Sequence, residues 1–409
     1  MAEPSTLGRR VVFVNRFYAP DMSATSQILT RLAEHLAGLG WQVSVVTSRQ
    51  LYGAPGILPS NEEIAGVQVQ RVLTTRFGNA GLAGRALDYL SFYLTAFLAL
   101  LTTLKRGDIV VAKTDPPLIS VFAHWAAALK GARLVNWLQD LYPEIAVAYG
   151  VRAARGPLGA ILKSLRNTSL RGASVNVVIC EDMARIVTPL AGTARVEVVH
   201  NWSDDTIVRP VAPEDNPLVA AWGLQDRFVV GYSGNLGRAH DWRTLVAAAA
   251  HLRDRPDILF LMIGGGAGQG PLRAEVERLG LQASFRFEPY QPHDMLACSL
   301  SLPHVHLVSL LPEFRGLMFP SKVFGIAAAG RGMIAIVDQP SDLADMVLAH
   351  GSGEATPVAD GAALASVIVR MADEAGVATA LGLKSLEMLE AGFACEQTLK
   401  RWGEVLETA

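Results

Sequence analysis

The sequence has little cysteine, and its three cysteines lie far apart. Cys180, Cys298 and Cys395 form no CxxC pair, so their spacing indicates neither a disulfide framework nor a zinc site. Such sparse use of cysteine fits a reducing compartment. The first ten residues also lack the basic region and apolar segment of a secretory leader. We therefore expect a cytoplasmic protein.

Three motifs for nucleotides and metals are missing as well. No GxGxxG fingerprint follows the first apolar strand, no P-loop is present, and no Asp-x-Asp pair occurs. Their absence argues against a nicotinamide cofactor and against a diphosphate held by a metal. A phosphate bound by this chain must then be neutralised by basic side chains and backbone dipoles, with no cofactor and no metal.

An excess of positive charge is also absent. The 36 basic and 38 acidic residues give a net charge of −2 and are mixed along the chain, so no basic stripe predicts nucleic acid binding. Half of the 409 residues are apolar and only 18% are charged, which is typical of a folded protein. This length exceeds what one core usually organises, and two domains of roughly 200 residues are expected.

Short apolar runs alternate with helical segments along the chain. A strand over 10–15, a helix over 27–39 and a strand over 42–47 open it, and this order predicts a parallel sheet. Further strands are expected over 66–72, 108–112, 132–137, 174–180, 196–200, 228–232, 258–263, 284–287, 304–307 and 333–337. A polar linker over 201–216 divides them. The sequence therefore predicts an α/β protein with two Rossmann-like doubly wound parallel-sheet domains.

One apolar stretch complicates this interpretation. Residues from Tyr89 to Leu104 carry no charge, and Arg85, Asp88 and Lys105 flank them. The stretch is short for a membrane span. A buried helix against a sheet and a helix lying in the membrane interface both remain open, and the second would give a peripheral membrane contact.

In the second half of the chain, a strand runs into a glycine-rich turn. Gly234, Asn235 and Arg238 lie in this turn, which can present amide groups and a positive helix end to an anion such as a diphosphate. The alternative is that strand-to-helix turns need glycine for steric reasons. Gly264 and Gly265 end the next strand and let a ligand approach the backbone closely.

A lysine begins a later helix of the same half. Ser321 is placed to cap this helix, and Lys322 falls in its first turn. A lysine there is unfavourable because its charge opposes the helix dipole, and a bound anion would make the same position favourable. Lys322 is therefore interpreted as a second phosphate contact, with an ordinary surface lysine as the alternative.

In the first half, acidic and polar residues follow strand ends. Asp140 and Glu144 come after the strand over 132–137, where reactive groups gather in parallel sheets. Asp140 is the leading catalytic candidate, and the alternative is that it caps the next helix. Other polar side chains suited to a sugar or phosphate are Asp21, Ser23 and Thr25 after the first strand, and His200 and Asn201 beside the linker.

Four segments taken together carry a resemblance to a known family. They are Thr114-Asp115-Pro116-Pro117, Gln139 to Glu144, Gly234 to Arg238, and Pro320 to Gly330. In order and spacing the chain resembles the family-4 glycosyltransferases of the GT-B fold, in particular the bacterial exopolysaccharide and O-antigen branch that transfers fucosamine or fucose. The resemblance implies two domains facing across a crevice. It also implies metal-independent, retaining transfer of a hexose or deoxyhexose from a UDP- or GDP-type sugar.

The resemblance also implies how the chain is divided. Residues 1–205 would bind the acceptor, a glycan or a polyprenyl-diphosphate-linked sugar, with Asp115 in the crevice. Residues 206–386 would bind the nucleotide sugar, and a helix within 387–409 would cross back to the first domain. Such an enzyme would work in surface polysaccharide biosynthesis, either in the cytoplasm or at the inner face of the cytoplasmic membrane.

The first donor loop departs from the family pattern. Asn235 and His240 stand where many relatives carry an arginine and a lysine. Charge compensation for the phosphates is therefore expected from Arg238 and Lys322.

The paired glutamates of the family are missing too. Leu317 and Gly325 occupy the matching positions, and Glu313 is the candidate substitute. Two other functions stay open beside glycosyl transfer. One is a nucleotide-sugar 2-epimerase of the same fold, and the other is a catalytically silent scaffold docked at the membrane.

Overall fold

The computed structural model describes residues 9–52, 56–78 and 81–409. Residues 1–8, which belong to the segment without leader features, lie outside these ranges. The chain divides into two compact units. Unit 1 contains the residues up to His200 together with Gly316–Met318 and Leu399–Ala409, and unit 2 contains Asn201–Arg315 and Phe319–Thr398.

Unit 1 is built on a mostly parallel sheet. Its strands are β1 (Arg10–Val14), β2 (Gln42–Ser48), β3 (Asn61–Ile64), β4 (Val67–Val72), β5 (Ile109–Lys113), β6 (Arg133–Leu138), β7 (Val175–Val178) and β8 (Arg195–Val198). They lie in the order β3-β4-β2-β1-β5-β6-β7-β8, and among them β3 pairs antiparallel with β4. The central strands are rich in valine and buried on both faces, as expected where helices cover a parallel sheet.

Helices connect these strands. They are α1 (Ala24–Gly38), α2 (Gly81–Thr103), α3 (Ile119–Lys130), α4 (Glu144–Ala148), α5 (Pro157–Gly172) and α6 (Glu181–Ala191). On one face of the sheet, Phe92 and Leu100 of α2 and Ala123 of α3 pack on Val12 and Val110. The stretch predicted as either a buried or an interfacial helix is therefore part of this core along one side.

Unit 2 has a second, wholly parallel sheet. Its helices are α7 (Pro217–Ala221), α8 (Arg243–His251), α9 (Gln269–Arg278), α10 (Leu296–Ser301), α11 (Lys322–Ala328), α12 (Asp342–Ala349), α13 (Gly361–Asp373) and α14 (Val377–Met388). Its strands are β9 (Phe228–Asn235), β10 (Ile258–Gly265), β11 (Phe285–Glu288), β12 (Val305–Ser309), β13 (Gly332–Ile336) and β14 (Gly353–Thr356). The order is β11-β10-β9-β12-β13-β14, which is the strand order of a doubly wound nucleotide-binding fold.

The last part of the chain differs from the single helix expected near 387–407. Helix α14 ends at Met388, a distorted turn follows over Leu389–Phe393, and helix α15 spans Cys395–Glu407. Gly392 has extended backbone inside this turn, which interrupts the helical hydrogen bonds. From Leu399 onward, α15 belongs to unit 1, where Trp402 packs against Trp137 at 4.4 Å between ring centroids.

Candidate functional site

Each sheet has a point where the strand order reverses. In unit 2 it lies between β9 and β12, and in unit 1 it lies between β1 and β5. The connections leave such a point in opposite directions, so a crevice opens at the carboxyl ends of the two strands. Most of the residues singled out from the sequence lie near these two points.

In unit 2, the loop after β9 is attached to the end of β12. The carbonyl of Ser309 lies 2.6 Å from Nδ1 of His240. The Ser309 hydroxyl accepts the N–H of Asp241 at 3.1 Å, and the carbonyl of Ala239 accepts the N–H of Leu311 at 2.9 Å. These bonds fix the polar loop across the switch point of the sheet.

The helix that follows this loop is not free to receive an anion, which corrects the expectation from the glycine-rich turn. Helix α8 begins at Arg243, and the carboxylate of Asp241 accepts the N–H groups of Arg243 at 2.9 Å and Thr244 at 3.4 Å. The Thr244 hydroxyl also donates to Asp241. A carboxylate therefore already satisfies the positive helix end.

Lys322 supplies the positive charge of this site. Helix α11 begins at Lys322, and its Nζ is buried 3.5 Å from the ring centroid of Tyr232. Within the described chain, this Nζ has no hydrogen-bond partner. Burial lowers the pKa of Lys322 to about 7. Burial, followed by the charge of Lys322, lowers the pKa of His240 to about 4, so His240 is neutral beside the lysine.

A buried amine without an acceptor is unfavourable, and an anionic ligand would satisfy it. Ser233 on the neighbouring strand also has a buried hydroxyl oxygen for which the described residues provide no partner. The Ser321 side chain forms no capping bond to the helix, so the predicted cap is wrong. Its backbone is itself helical, which turns the hydroxyl away from the helix amides.

Gly264, at the end of β10, lies where two strands approach closely. Gly234 and Gly264 both have positive φ, and a Cβ on Gly264 would lie 2.4 Å from the Gly234 carbonyl oxygen. A Cβ on Gly265 would lie 3.2 Å from the Tyr290 ring, whereas a Cβ on Gly234 would meet nothing within 4 Å. The approach of a ligand to these glycines stays a prediction.

The remaining predicted donor residues lie at the surface. Asn235, the last residue of β9, and Arg238, in the loop after it, are exposed, and Glu313 is exposed in the 3-10 turn Pro312–Phe314 after β12. The structure therefore gathers the two strand ends and Lys322, with these three residues at the surface around them. Sequence reasoning missed Tyr232, because nothing near it in the chain indicates that it meets Lys322. It also missed the buried hydroxyl of Ser233.

In unit 1, two carboxylic acids follow the neighbouring strands β5 and β6. The hydroxyl of Thr114 donates to the Trp137 carbonyl and accepts the Gln139 N–H, both at 3.0 Å. These bonds hold the ends of the two strands together next to Asp115 and Asp140. Burial, and then the charge of Asp115, raises the pKa of Asp140 to about 7.

Asp115 has more partners than Asp140. Burial raises its pKa to about 6, while Arg16 and the hydrogen bond from Thr25 act in the opposite direction. The Thr25 hydroxyl donates to Asp115 at 3.3 Å, and the buried Nζ of Lys113 donates to the Thr25 carbonyl at 2.9 Å. Asp140 itself lines a small pocket. Its raised pKa and its place in the wall of this pocket suit a group that exchanges or holds a proton.

The loop after β1 is more inward-facing than predicted. Asp21 is buried, and its carboxylate accepts hydrogen bonds from the backbone N–H and hydroxyl of Ser23 and from the N–H of Tyr52. Of Asp21, Ser23 and Thr25, which were predicted to contact a sugar or phosphate, Thr25 bonds to Asp115. In the segment after β8, Asn201 is buried and His200 is half-buried, and this burial lowers the pKa of His200.

Glu144 forms an ion pair within unit 1. Its carboxylate accepts from Arg166 at 2.9 and 3.1 Å, and Lys163 lies 3.7 Å away. Arg166 is buried and also donates to the Tyr142 carbonyl at 2.9 Å. Glu144 therefore joins α4 to α5, and its environment differs from that of Asp140.

Comparison with known proteins gives related sequences. A family model described as a glycosyl transferase 4-like domain matches residues 24–202. A 2-deoxystreptamine N-acetyl-D-glucosaminyltransferase from Streptomyces fradiae is 30% identical over 332 residues, which are 74% of this chain and 73% of that protein. WcaI of Escherichia coli K12, named as a colanic acid biosynthesis glycosyl transferase, is 23% identical over 341 residues, covering 80% and 83% of the two chains.

Solved structures show the same fold. Sucrose-phosphate synthase from Thermosynechococcus elongatus superposes with a TM-score of 0.77 at 19% identity, over 98% of both chains. Anabaena Alr3699/HepE, solved in complex with UDP-glucose, superposes with a TM-score of 0.72 at 15% identity, over 98% of this chain and 100% of that one. These likenesses confirm the predicted fold class of two Rossmann-like α/β domains.

Proposed function

The chain belongs to the family-4 glycosyltransferases of the GT-B fold, and from this premise we propose that it builds a bacterial surface polysaccharide. The donor is a hexose or deoxyhexose on a UDP- or GDP-type nucleotide, and the acceptor is a glycan or a polyprenyl-diphosphate-linked sugar. The name of WcaI supports the polysaccharide role, and the UDP-glucose complex of HepE supports the donor class. These relatives favour transfer over the epimerase and scaffold alternatives.

The observation that carries this proposal is the buried Nζ of Lys322. It lies at the switch point of unit 2 beside Tyr232, and no acceptor from the described residues reaches it. A diphosphate oxygen would provide that acceptor, because a charged hydrogen bond in a dry site is favourable. Unit 2 therefore binds the nucleotide sugar, with Asn235 at the end of β9, Arg238 on the adjoining loop and Glu313 toward the sugar.

The reaction requires stabilisation of the leaving nucleoside diphosphate. The bond between the anomeric carbon and the phosphate oxygen breaks, and the acceptor oxygen forms its bond on the same face, with retention. The acceptor proton passes to the departing phosphate oxygen. Lys322 stabilises the negative charge that develops there without a metal, and one preorganised donor of this kind is worth about 3 kcal/mol of barrier.

Asp140 in unit 1 is the group proposed to act on the acceptor side. With its pKa raised to about 7, it exists in both protonation states near neutral pH. Its carboxylate orients the acceptor hydroxyl or stabilises positive charge on the sugar. Glu144 supports it indirectly through Arg166, which lines the same pocket.

We place this work in the cytoplasm, at the inner face of the membrane, where lipid-linked acceptors are available. Helix α2, which includes the predicted stretch Tyr89 to Leu104, has exposed leucines along one side. A peripheral contact through this helix would bring unit 1 to such an acceptor.

The test separates donor binding from transfer. Lys322→Ala is expected to weaken binding of UDP or GDP by about tenfold or more, since a charged hydrogen bond contributes about 1.5–3 kcal/mol. Lys384→Ala, at an exposed lysine of unit 2, is the matched control and should bind normally in calorimetry. Asp140→Asn should keep donor binding and lose at least about tenfold in transfer.

Two outcomes would contradict the proposal. Equal nucleotide affinity in Lys322→Ala and Lys384→Ala would remove Lys322 from the donor site. Conversion of the nucleotide sugar to an epimer without any acceptor would replace transfer by epimerisation.

A further inference from the structure

Helix α2 is apolar on two opposite sides. Phe92, Ala96 and Leu100 are fully buried in the core of unit 1. Leu87, Leu90, Leu94 and Leu98 are between 50% and 62% exposed. Their spacing of three and four residues puts all four leucines in one stripe, opposite the buried one. An ordinary surface helix would carry charged or polar residues along this side.

The neighbouring helix extends this apolar surface. Phe122 of α3 stacks on Tyr93 of α2 at 4.8 Å and contacts Trp125 at 5.3 Å between ring centroids. Trp125 is 40% exposed and Leu129 is 70% exposed. We call the four leucines of α2, with Trp125 and Leu129, the leucine face. Contiguous exposed apolar patches of this kind mark interaction sites.

The exposed charges of α2, of α3 and of the three residues after α2 are all positive. Arg85 is exposed near the start of α2, Lys105 and Arg106 are exposed just after its end, and Lys130 ends α3. Helices α2 and α3 contain one acidic residue, Asp88. Its side chain is buried and accepts hydrogen bonds from the Thr75 hydroxyl and the Phe77 N–H. A leucine stripe with tryptophan at its side and cations at its ends is complementary to an anionic lipid surface.

A membrane-spanning role does not fit the packing. By length and composition alone, 83–103 is apolar enough to cross a membrane. However, Phe92, Ala96 and Leu100 contact the sheet, and inserting α2 across a bilayer would take the core of unit 1 apart. The helix can keep these contacts only if it lies parallel to the membrane surface.

We propose that unit 1 docks on anionic membranes through the leucine face, with α2 lying in the interface. This surface extends the peripheral contact proposed above to a second helix and a set of cations. It is independent of the transfer reaction, because none of its residues belongs to the donor or acceptor groups described above.

The test uses the full chain and sedimentation with lipid vesicles. Vesicles of phosphatidylcholine mixed with phosphatidylglycerol should carry the protein down, and pure phosphatidylcholine vesicles should bind it far more weakly. The double variant Leu90→Gln/Leu94→Gln should lose about tenfold or more in vesicle affinity. The control Leu348→Gln/Leu383→Gln replaces two exposed leucines of unit 2 and should bind as the parent does.

The cations provide a second arm. Lys105→Gln/Arg106→Gln should weaken binding to the anionic vesicles and reduce its dependence on salt. UDP or GDP binding, measured in parallel, should be unchanged in every variant, so a failure of the donor site is recognised separately.

Three results would overturn the proposal. The parent chain could fail to bind anionic vesicles, or the leucine variant could bind as well as its control. The third result is a dimer of the parent chain in analytical ultracentrifugation that becomes a monomer in Leu90→Gln/Leu94→Gln, while the parent does not bind vesicles. In that case a second copy of the chain covers the leucine face.

Discussion

At the scale of single residues, the protonation of Lys322 should set the pH dependence of donor binding. Its pKa is lowered to about 7 by burial, so the amine is charged below this pH and neutral above it. A diphosphate binds the charged form, and above about pH 7 binding must take up a proton. We expect the affinity for UDP or GDP to fall above about pH 7, by up to about tenfold per pH unit.

The terminal phosphate of the ligand titrates in the same range, with a pKa of about 6. A variant whose cation does not titrate is therefore needed to separate the two groups. In Lys322→Arg the cation stays charged at every pH used, and the fall above about pH 7 should disappear. Calorimetry in buffers of different ionisation enthalpy measures the proton uptake directly. Parallel pH profiles in the two proteins would mean that Lys322 does not contact the phosphate.

Residue positions were predictable where the backbone alone decides them. Asp140 follows the end of β6, and the topology of a parallel sheet brings strand ends together. Lys322 begins the helix that comes after β12. Partners were not predictable. Tyr232 lies far from Lys322 in the chain, and Arg166 meets Glu144 across 22 residues. Such pairs depend on how helices pack, which a single sequence does not show.

At the scale of elements, the junction between β9 and β10 should be sensitive to a single methyl group. Gly264 has a φ of +124°, and a Cβ there would lie 2.4 Å from the Gly234 carbonyl oxygen. We expect Gly264→Ala to destabilise unit 2 by about 3 kcal/mol or more, because strain and a backbone clash combine. Nucleotide binding should fall with it, since this strand end borders the site.

Gly270 offers a matched control. It lies in α9, and a Cβ there would meet nothing within 4 Å. Gly270→Ala should leave stability unchanged or raise it by about 0.5–1 kcal/mol. Denaturant unfolding of both variants measures the difference. Equal stability of the two would show that the strand ends can move apart at little cost.

Strands were predicted well where they are apolar, and two edge strands were missed because they are polar. The apolar runs that form β1, β5, β9 and β12 are visible in the sequence. Strands β3 and β14 were missed, because their sequences NEEI and GEAT are polar. Both lie at an edge of their sheet, where polar residues discourage pairing with other chains. The N-terminus of α8 was expected to face an anion, and the carboxylate of Asp241 occupies it instead.

At the scale of the whole molecule, the alternation of strands and helices was enough to predict two sheets. The contribution of the chain end to unit 1 came from family resemblance alone, because periodicity does not tell which sheet a helix covers. Trp402 of α15 is fully buried in unit 1, at 4.4 Å from Trp137. Trp137 lies in β6, which leads to Asp140, so the end of the chain supports the strand that positions Asp140.

Removing this tryptophan should therefore unfold one unit before the other. We expect Trp402→Ala to destabilise unit 1 by about 3–5 kcal/mol, as for other fully buried tryptophans. Trp125→Ala, at a partly exposed position of the same unit, should cost much less. Two-unit proteins need not unfold in one step, so Trp402→Ala should lose unit 1 at low denaturant while unit 2 still binds UDP or GDP. A single transition, with nucleotide binding lost at the same midpoint, would contradict this division of the chain.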